Sequence, residues 1–178
     1  MAGYDQRLEH WVVTHRLSLL DPFFEGVTYL GSFGAVWLLA AAVLAIAWRQ
    51  PIIFARVGVA ALSGELVSSL IKDLTSRPRP PIRFPDPAPL VALPGTSSFP
   101  SGHATVAFAC ATMLAATDRR LAIPAFVLAV AVAWSRVYVG VHYPFDVLAG
   151  AVLGVLLATA LRLLGVGLRR SRPALTPG

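Results

Sequence analysis

The 178 residues are one domain's length, but with 56% hydrophobic and 13% charged side chains and a mean hydropathy of +0.68 they are too apolar for a water-soluble globule. The formal charge of +6 does not mark a nucleic-acid binder, because the arginines flank apolar stretches and form no soluble basic stripe. Cys110 is the single cysteine, which excludes an intrachain disulfide and argues against a cysteine-held metal.

Residues 1–22 carry acids, histidines and arginines, with no long apolar stretch of a cleaved signal. Their mixed polarity over 5–20 is too short to span a bilayer and predicts an interfacial amphipathic helix, with Trp11 at headgroup level and His10 and His15 without chemistry. Val27 to Trp48 is free of charge and predicts the first spanning helix, since a hydrocarbon core of about 30 Å needs roughly 20 apolar residues. Ile52 to Ile71 follows a turn at Arg49-Gln50-Pro51 and ends at Lys72, the only lysine beside fourteen arginines. Residues 73–100 hold eight prolines and read as a surface loop. Gly102 to Thr117, Leu121 to Val139 and Phe145 to Leu164 supply three more spans, and 165–178 form a tail. The expected fold is therefore all-α: a single-domain polytopic membrane helix bundle over 1–178, with five transmembrane helices plus an N-terminal interfacial helix. Trp37, Trp48 and Trp134 read as packing or interface anchors. Gly150 and Gly154 form a small-xxx-small pair for close packing inside the bundle.

The arginines also orient the chain. Arg49, Arg56, Arg119, Arg120, Arg162, Arg169, Arg170 and Arg172 fall on one side; Arg7, Arg16, Arg77, Arg79, Arg83 and Arg136 fall on the other, several of them drawn into a site. This places the C-terminal tail in the cytoplasm and the loop 73–100 outside, in a plasma membrane.

Three polar clusters then share the extracytoplasmic face: Lys72-x(6)-Arg79-Pro80, Pro100-Ser101-Gly102-His103, and Ser135-Arg136-x(5)-His142-x(3)-Asp146. Ser101 stands where a helix N-cap belongs and Gly102 admits close approach to backbone N–H groups, which together make an anion site. An imidazole in the first turn of a membrane helix, as at His103, is costly unless it has work to do. Pro144 suits a first helical turn, which puts Asp146 near a helix N-terminus with His142 just before it. The carboxylate there either holds the imidazole in one tautomer or merely complements the helix dipole. Lys72 and Arg79 offer a point charge and a planar fork to phosphate oxygens, snorkelling to headgroups being the plainer alternative. Glu65, seven residues before Lys72 and thus on nearly the same face, reads as a buried structural partner. Arg77 and Arg83 read as solvated loop charges.

Taken together, the clusters resemble the signature of the type 2 phosphatidic acid phosphatase superfamily. Every motif position between Lys72 and Asp146 is filled with the family's spacing. The superfamily includes bacterial lipid phosphate phosphatases, undecaprenyl pyrophosphate phosphatases and phosphatidylglycerol phosphate phosphatases, and shares its site with vanadium-dependent haloperoxidases. Many relatives have six spans, and this chain is expected to lack the first. The resemblance implies an integral membrane phosphatase that hydrolyses a lipid phosphomonoester or pyrophosphate through a phosphohistidine. By motif position, His142 is then the nucleophile, Asp146 orients it, and His103 protonates the leaving group. Lys72, Arg79, Ser101, Gly102 and Arg136 hold the phosphate. The partners expected are a lipid phosphate substrate and membrane lipids. No cofactor is expected, and no metal, since a two-metal site needs clustered carboxylates and only Asp146 and Asp73 are at hand. Two other classes compete: a vanadate-dependent haloperoxidase, with His142 as a ligand, and a non-catalytic protein binding anionic lipid, which needs neither histidine.

Overall fold

The computed structural model describes residues 2–165, and among them every regular element is helical. The tail expected at 165–178, with Arg169, Arg170 and Arg172, lies outside the described residues from 166 onward.

Helix α1 (Ala2–Thr14) buries Glu9, Val12 and Val13, an i, i+3, i+4 stripe that packs it against α7 and α8. The predicted span from Val27 to Trp48 is not one helix. Helix α2 (Asp21–Leu30) starts six residues earlier, with Pro22 in its first turn, and α3 (Ala35–Ala47) leaves it at 61° across a 3-10 turn, Ser32–Gly34. Gly34 has φ +71, a left-handed conformation that ends a right-handed helix and suits glycine. Hydropathy alone sees no break here, because the residues of the turn are themselves apolar or small.

Helix α4 (Ile52–Thr75) has 24 residues and carries Lys72 in its last turn. At 1.5 Å per residue it is about 36 Å long, enough to cross a hydrocarbon core. A single turn, α5 (Pro80–Arg83), interrupts the Pro-rich loop. Helix α6 (Gly102–Thr117) leads through a 3-10 turn, Arg119–Leu121, into α7 (Ala122–Tyr138), and α8 (Pro144–Leu163) completes the bundle. By length and composition α4, α7 and α8 can cross a membrane, and a fourth crossing is available if the bent α2–α3 pair is one span. Helix α6 is apolar but only 16 residues long. Large apolar side chains such as Leu62, Leu66, Leu70, Val152 and Leu156 stay exposed, as expected for helix faces solvated by lipid.

Helix α6 is the axis of the bundle, packed by α4, α7 and α8, and eleven of its sixteen residues are buried. Glycines let its neighbours come close. A Cβ on Gly154 would collide with the Thr105 carbonyl and stand 2.9 Å from the Ala109 nitrogen. Gly150 and Gly154 thus pack α8 on α6, as their spacing predicts. Trp37 is a core residue, whereas Trp48 and Trp134 are partly exposed. At one end of this bundle the C-termini of α4 and α7 meet the N-termini of α6 and α8. Cross-links there include Ser101 N–H to the Asp146 carbonyl at 3.0 Å and Ser98 N–H to the Arg77 carbonyl at 2.8 Å.

Candidate active site

The start of α6 forms one wall. Ser101 caps the helix, its Oγ accepting from Ala104 N–H at 3.5 Å. A side chain at Gly102 would begin 3.2 Å from Ser68 Oγ, 3.3 Å from Lys72 Nζ and 3.7 Å from a Glu65 carboxylate oxygen. A methyl group here would press on these α4 side-chain ends, which would have to give by a few tenths of an ångström. Glu65 is therefore not the buried partner expected from its depth: it is an exposed residue whose carboxylate reaches the Lys72 end of the site.

The start of α8 forms the opposite wall. The Val141 and His142 amides both donate to the Arg136 carbonyl at 3.2 Å, a tight turn that folds His142 back over α7's end. Asp146 at the third helical position caps α8, accepting from Tyr143 N–H at 3.0 Å, so its capping role is real. It also does more: Oδ2 accepts from Ser98 Oγ and lies 3.6 Å from His142 Nδ1, while Oδ1 is paired with Arg77.

Arg79 faces the other edge of the His142 ring. The guanidinium is 2% exposed and held by the carbonyls of Thr96 (2.9 Å), Val141 (2.9 Å) and Ser97 (3.2 Å), and by Thr96 Oγ1 (3.1 Å). Its Nη1 is also 3.1 Å from His142 Nε2. Arginine offers no acceptor, so the contact assigns the lone pair to Nε2 and the proton to Nδ1, which lies 3.6 Å from Asp146 Oδ2, just beyond hydrogen-bond distance. Burial above all, then the charges of Arg79, Arg136 and Lys72, push the His142 pKa well below its ordinary 6.5. The ring is neutral at physiological pH. Burial likewise pushes Arg79 down to about 10, still charged.

His103 lies in the first turn of α6, its Nε2 3.3 Å from Ser32 Oγ, within electrostatic reach of Arg136, His142, Lys72 and Arg79. Arg136 is buried at the end of α7, with Nη1 on Thr28 Oγ1 and a buried Nε–H that meets no partner among the described residues. The fold thus gathers Lys72, Arg79, Ser101, Gly102, His103, Arg136, His142 and Asp146 at one end of the bundle. Sequence reading missed Thr28, Ser32, Ser98, Asp5 and Arg77. Hydroxyls at 28 and 32, four apart in an apolar run, were the available signal for the first two. Arg77 is no solvated charge: it bridges Asp5 and Asp146. Among the described residues no group of three or more His, Cys, Asp or Glu is placed to hold a metal. Three cations and helix-end N–H groups converge instead, a constellation suited to a tetrahedral anion.

A model of the PAP2 superfamily matches residues 53–170, the region that carries all eight of these residues. The chain belongs to the PAP2 superfamily. It is 35% identical over 150 residues to the decaprenylphosphoryl-5-phosphoribose phosphatase of Mycobacterium tuberculosis H37Rv, covering 83% of this chain and 82% of that protein. Its fold matches the crystal structure of Aquifex aeolicus LpxE with a TM-score of 0.76 at 31% identity, over 86% of this chain and 92% of the other. The PAP2-type phosphatidylglycerolphosphate phosphatase of Bacillus subtilis matches with a TM-score of 0.75 at 28% identity, over 96% and 89%. As a PAP2 protein with apolar helices of spanning length, the chain is an integral membrane enzyme of the phosphate-ester hydrolase class.

Proposed function

We propose that the chain hydrolyses the terminal phosphate of a lipid phosphomonoester or pyrophosphate through a phosphohistidine on His142, without a metal. The observation that carries this reading is the line Arg79–His142–Asp146: a buried imidazole with Nε2 3.1 Å from a guanidinium that can only donate and Nδ1 3.6 Å from a carboxylate, an arrangement that favours the neutral ring with its lone pair on Nε2. A nucleophilic imidazole needs that tautomer and that charge state.

In the first step Nε2 bonds to phosphorus as the bond to the leaving oxygen breaks, and His103 gives that oxygen a proton. In the second, water attacks the phosphorus of phosphohistidine, His103 takes its proton, and inorganic phosphate leaves with His142 restored. Arg79 yields its contact with Nε2 to a phosphate oxygen as substrate enters. Arg136, through its unpartnered Nε–H, Lys72, and the N–H groups behind Ser101 and Gly102 take the remaining oxygens. Positioning and charge neutralisation of this kind are what phosphoryl transfer demands.

The broken α2–α3 pair and the short α6 complete five crossings in this reading. The arginine distribution supports a site facing outside and a C-terminus in the cytoplasm. The relatives' names concern a prenyl-linked phosphoribose and phosphatidylglycerolphosphate. That range supports a lipid phosphate as the shared feature, with undecaprenyl pyrophosphate and phosphatidic acid as further candidates.

The test is phosphate release by purified protein in detergent, with chelator present, across prenyl and diacyl phosphates. Wild type should release phosphate and His142→Ala should lose about 10³-fold or more. Activity that disappears with chelator and returns with a divalent cation would contradict the metal-free mechanism.

A further inference from the structure

The family match begins at residue 53, yet α1 reaches the site. Arg77 is the connection. Its Nη1 donates to Asp146 Oδ1 and its Nη2 to Asp5 Oδ2 at 2.6 Å, and its guanidinium carbon lies 4.3 Å from the centre of the Tyr143 ring. Asp5 Oδ1 accepts in turn from Phe145 N–H at 2.9 Å, one of the amides that an α-helix leaves unpaired in its first turn. The backbone of Arg77 is pinned as well, its N–H on Ser97 Oγ at 2.9 Å and its carbonyl on Ser98 N–H at 2.8 Å. Burial opposes the Arg77 charge, but the Asp5 bond and the Asp146 carboxylate outweigh it and raise its pKa above the ordinary guanidinium value. Arg77 thus engages Asp146 Oδ1, while Oδ2 accepts from Ser98 Oγ and Tyr143 N–H and lies 3.6 Å from His142 Nδ1.

We propose that Arg77 is a positioning residue for this reaction: braced by Asp5 of α1, it holds the Asp146 carboxylate in the orientation that faces His142. The assignment rests on the phosphohistidine reading above. An arginine suits the task because its planar fork reaches two carboxylates at once, whereas lysine supplies a point charge. The competing role is capture of an anionic headgroup, since Arg77 also borders a cleft of about 990 Å³ walled by Tyr4, Leu8, Phe99, Phe145 and Leu148. The two roles separate kinetically: a residue acting through Asp146 changes kcat, and one that grips substrate changes KM.

Full-length variants in detergent, assayed on the lipid phosphate that wild type turns over fastest, decide between them. Arg77→Met should lower kcat about 10–100-fold, the loss typical of a displaced supporting group, with KM changed less than about threefold. Arg77→Lys should recover part of kcat, and Asp5→Asn should lose kcat in the same direction by a smaller factor. In an Asp146→Asn background Arg77→Met should cost nothing further. Wild-type kcat in Arg77→Met, a rise in KM with kcat kept, or an equal further loss in the Asp146→Asn background each overturns the assignment. Should Arg77→Met not fold, Asp5→Asn with and without Asp146→Asn makes the same comparison, and wild-type kcat in Asp5→Asn overturns the brace. His142→Ala separates the two levels: turnover retained there removes the phosphohistidine reading itself, whereas an inactive His142→Ala beside a fully active Arg77→Met removes Arg77 alone.

Discussion

The two histidines share a pocket and are held in different ways. His142 is 2% exposed, held on one edge by Arg79 at 3.1 Å and faced on the other by Asp146 at 3.6 Å, and those neighbours are themselves fixed by loop carbonyls, Ser98 and Arg77. His103 is half-buried, rises from the first turn of a rigid helix, and touches Ser32 Oγ at 3.3 Å. The difference fits the proposed division of labour. A nucleophile must present one nitrogen in one direction, and misplacement of about 1 Å can cost 100-fold. A proton carrier must serve the leaving oxygen in one step and water in the next, so freedom at the ring is an asset.

Disturbing the His142 side should therefore cost most. Arg79→Lys keeps a charge but loses the fork that spans Thr96, Ser97, Val141 and His142, and kcat/KM should fall about 100-fold or more. Ser32→Ala removes the hydroxyl beside His103 and should lower kcat only about 2–5-fold, the worth of one ordinary hydrogen bond. Similar losses in the two variants would erase the distinction between the sites.

The smallest effects are on stability against pH, and they have opposite signs. His142 refuses a proton in the fold that the unfolded chain accepts near 6.5, so stability is kept above that pH and falls below it. The melting temperature of wild type should drop more between pH 7 and 5 than that of His142→Phe. Glu9, buried on α1, has its pKa raised to about 7 from 4.5, chiefly by burial and against the pull of Arg16. The fold keeps a proton there that the unfolded chain loses, so stability falls as pH rises from 4.5 through 7. Glu9→Gln should raise the melting temperature by a few degrees at pH 8 and by less at pH 5.

Much of the candidate site was legible because its residues are out of place by hydropathy: a lone lysine at a helix end, one histidine in a first turn and another just before a helix, an arginine closing a span. The spacing of Gly150 and Gly154 likewise foretold close packing inside the bundle, which the structure realises between α8 and α6. What escaped was the support around these residues. Ser98, Asp5 and Arg77 are ordinary loop and surface residues by composition. Ser98 gains its role where the loop folds onto Asp146. Asp5 and Arg77 gain theirs where α1 packs across the ends of α7 and α8, separated from it by some 120 to 140 residues. The bend in the first predicted span escaped for a related reason. Gly34 is one glycine among apolar neighbours, and the close packing of Val106 and Ala61 around it, 3.2 and 3.5 Å from where a Cβ would stand, is not visible in local composition.

The central claim is covalent chemistry at His142, and the most direct measurement is to trap it. Protein turning over a radiolabelled lipid phosphate would be quenched in alkali, where phosphohistidine survives, and the peptides read by mass spectrometry. The account predicts phosphate on the peptide that carries His142, and none in His142→Ala. A turnover-competent enzyme that carries no label at His142 while water inverts the configuration at a chiral phosphorus in a single displacement would contradict it.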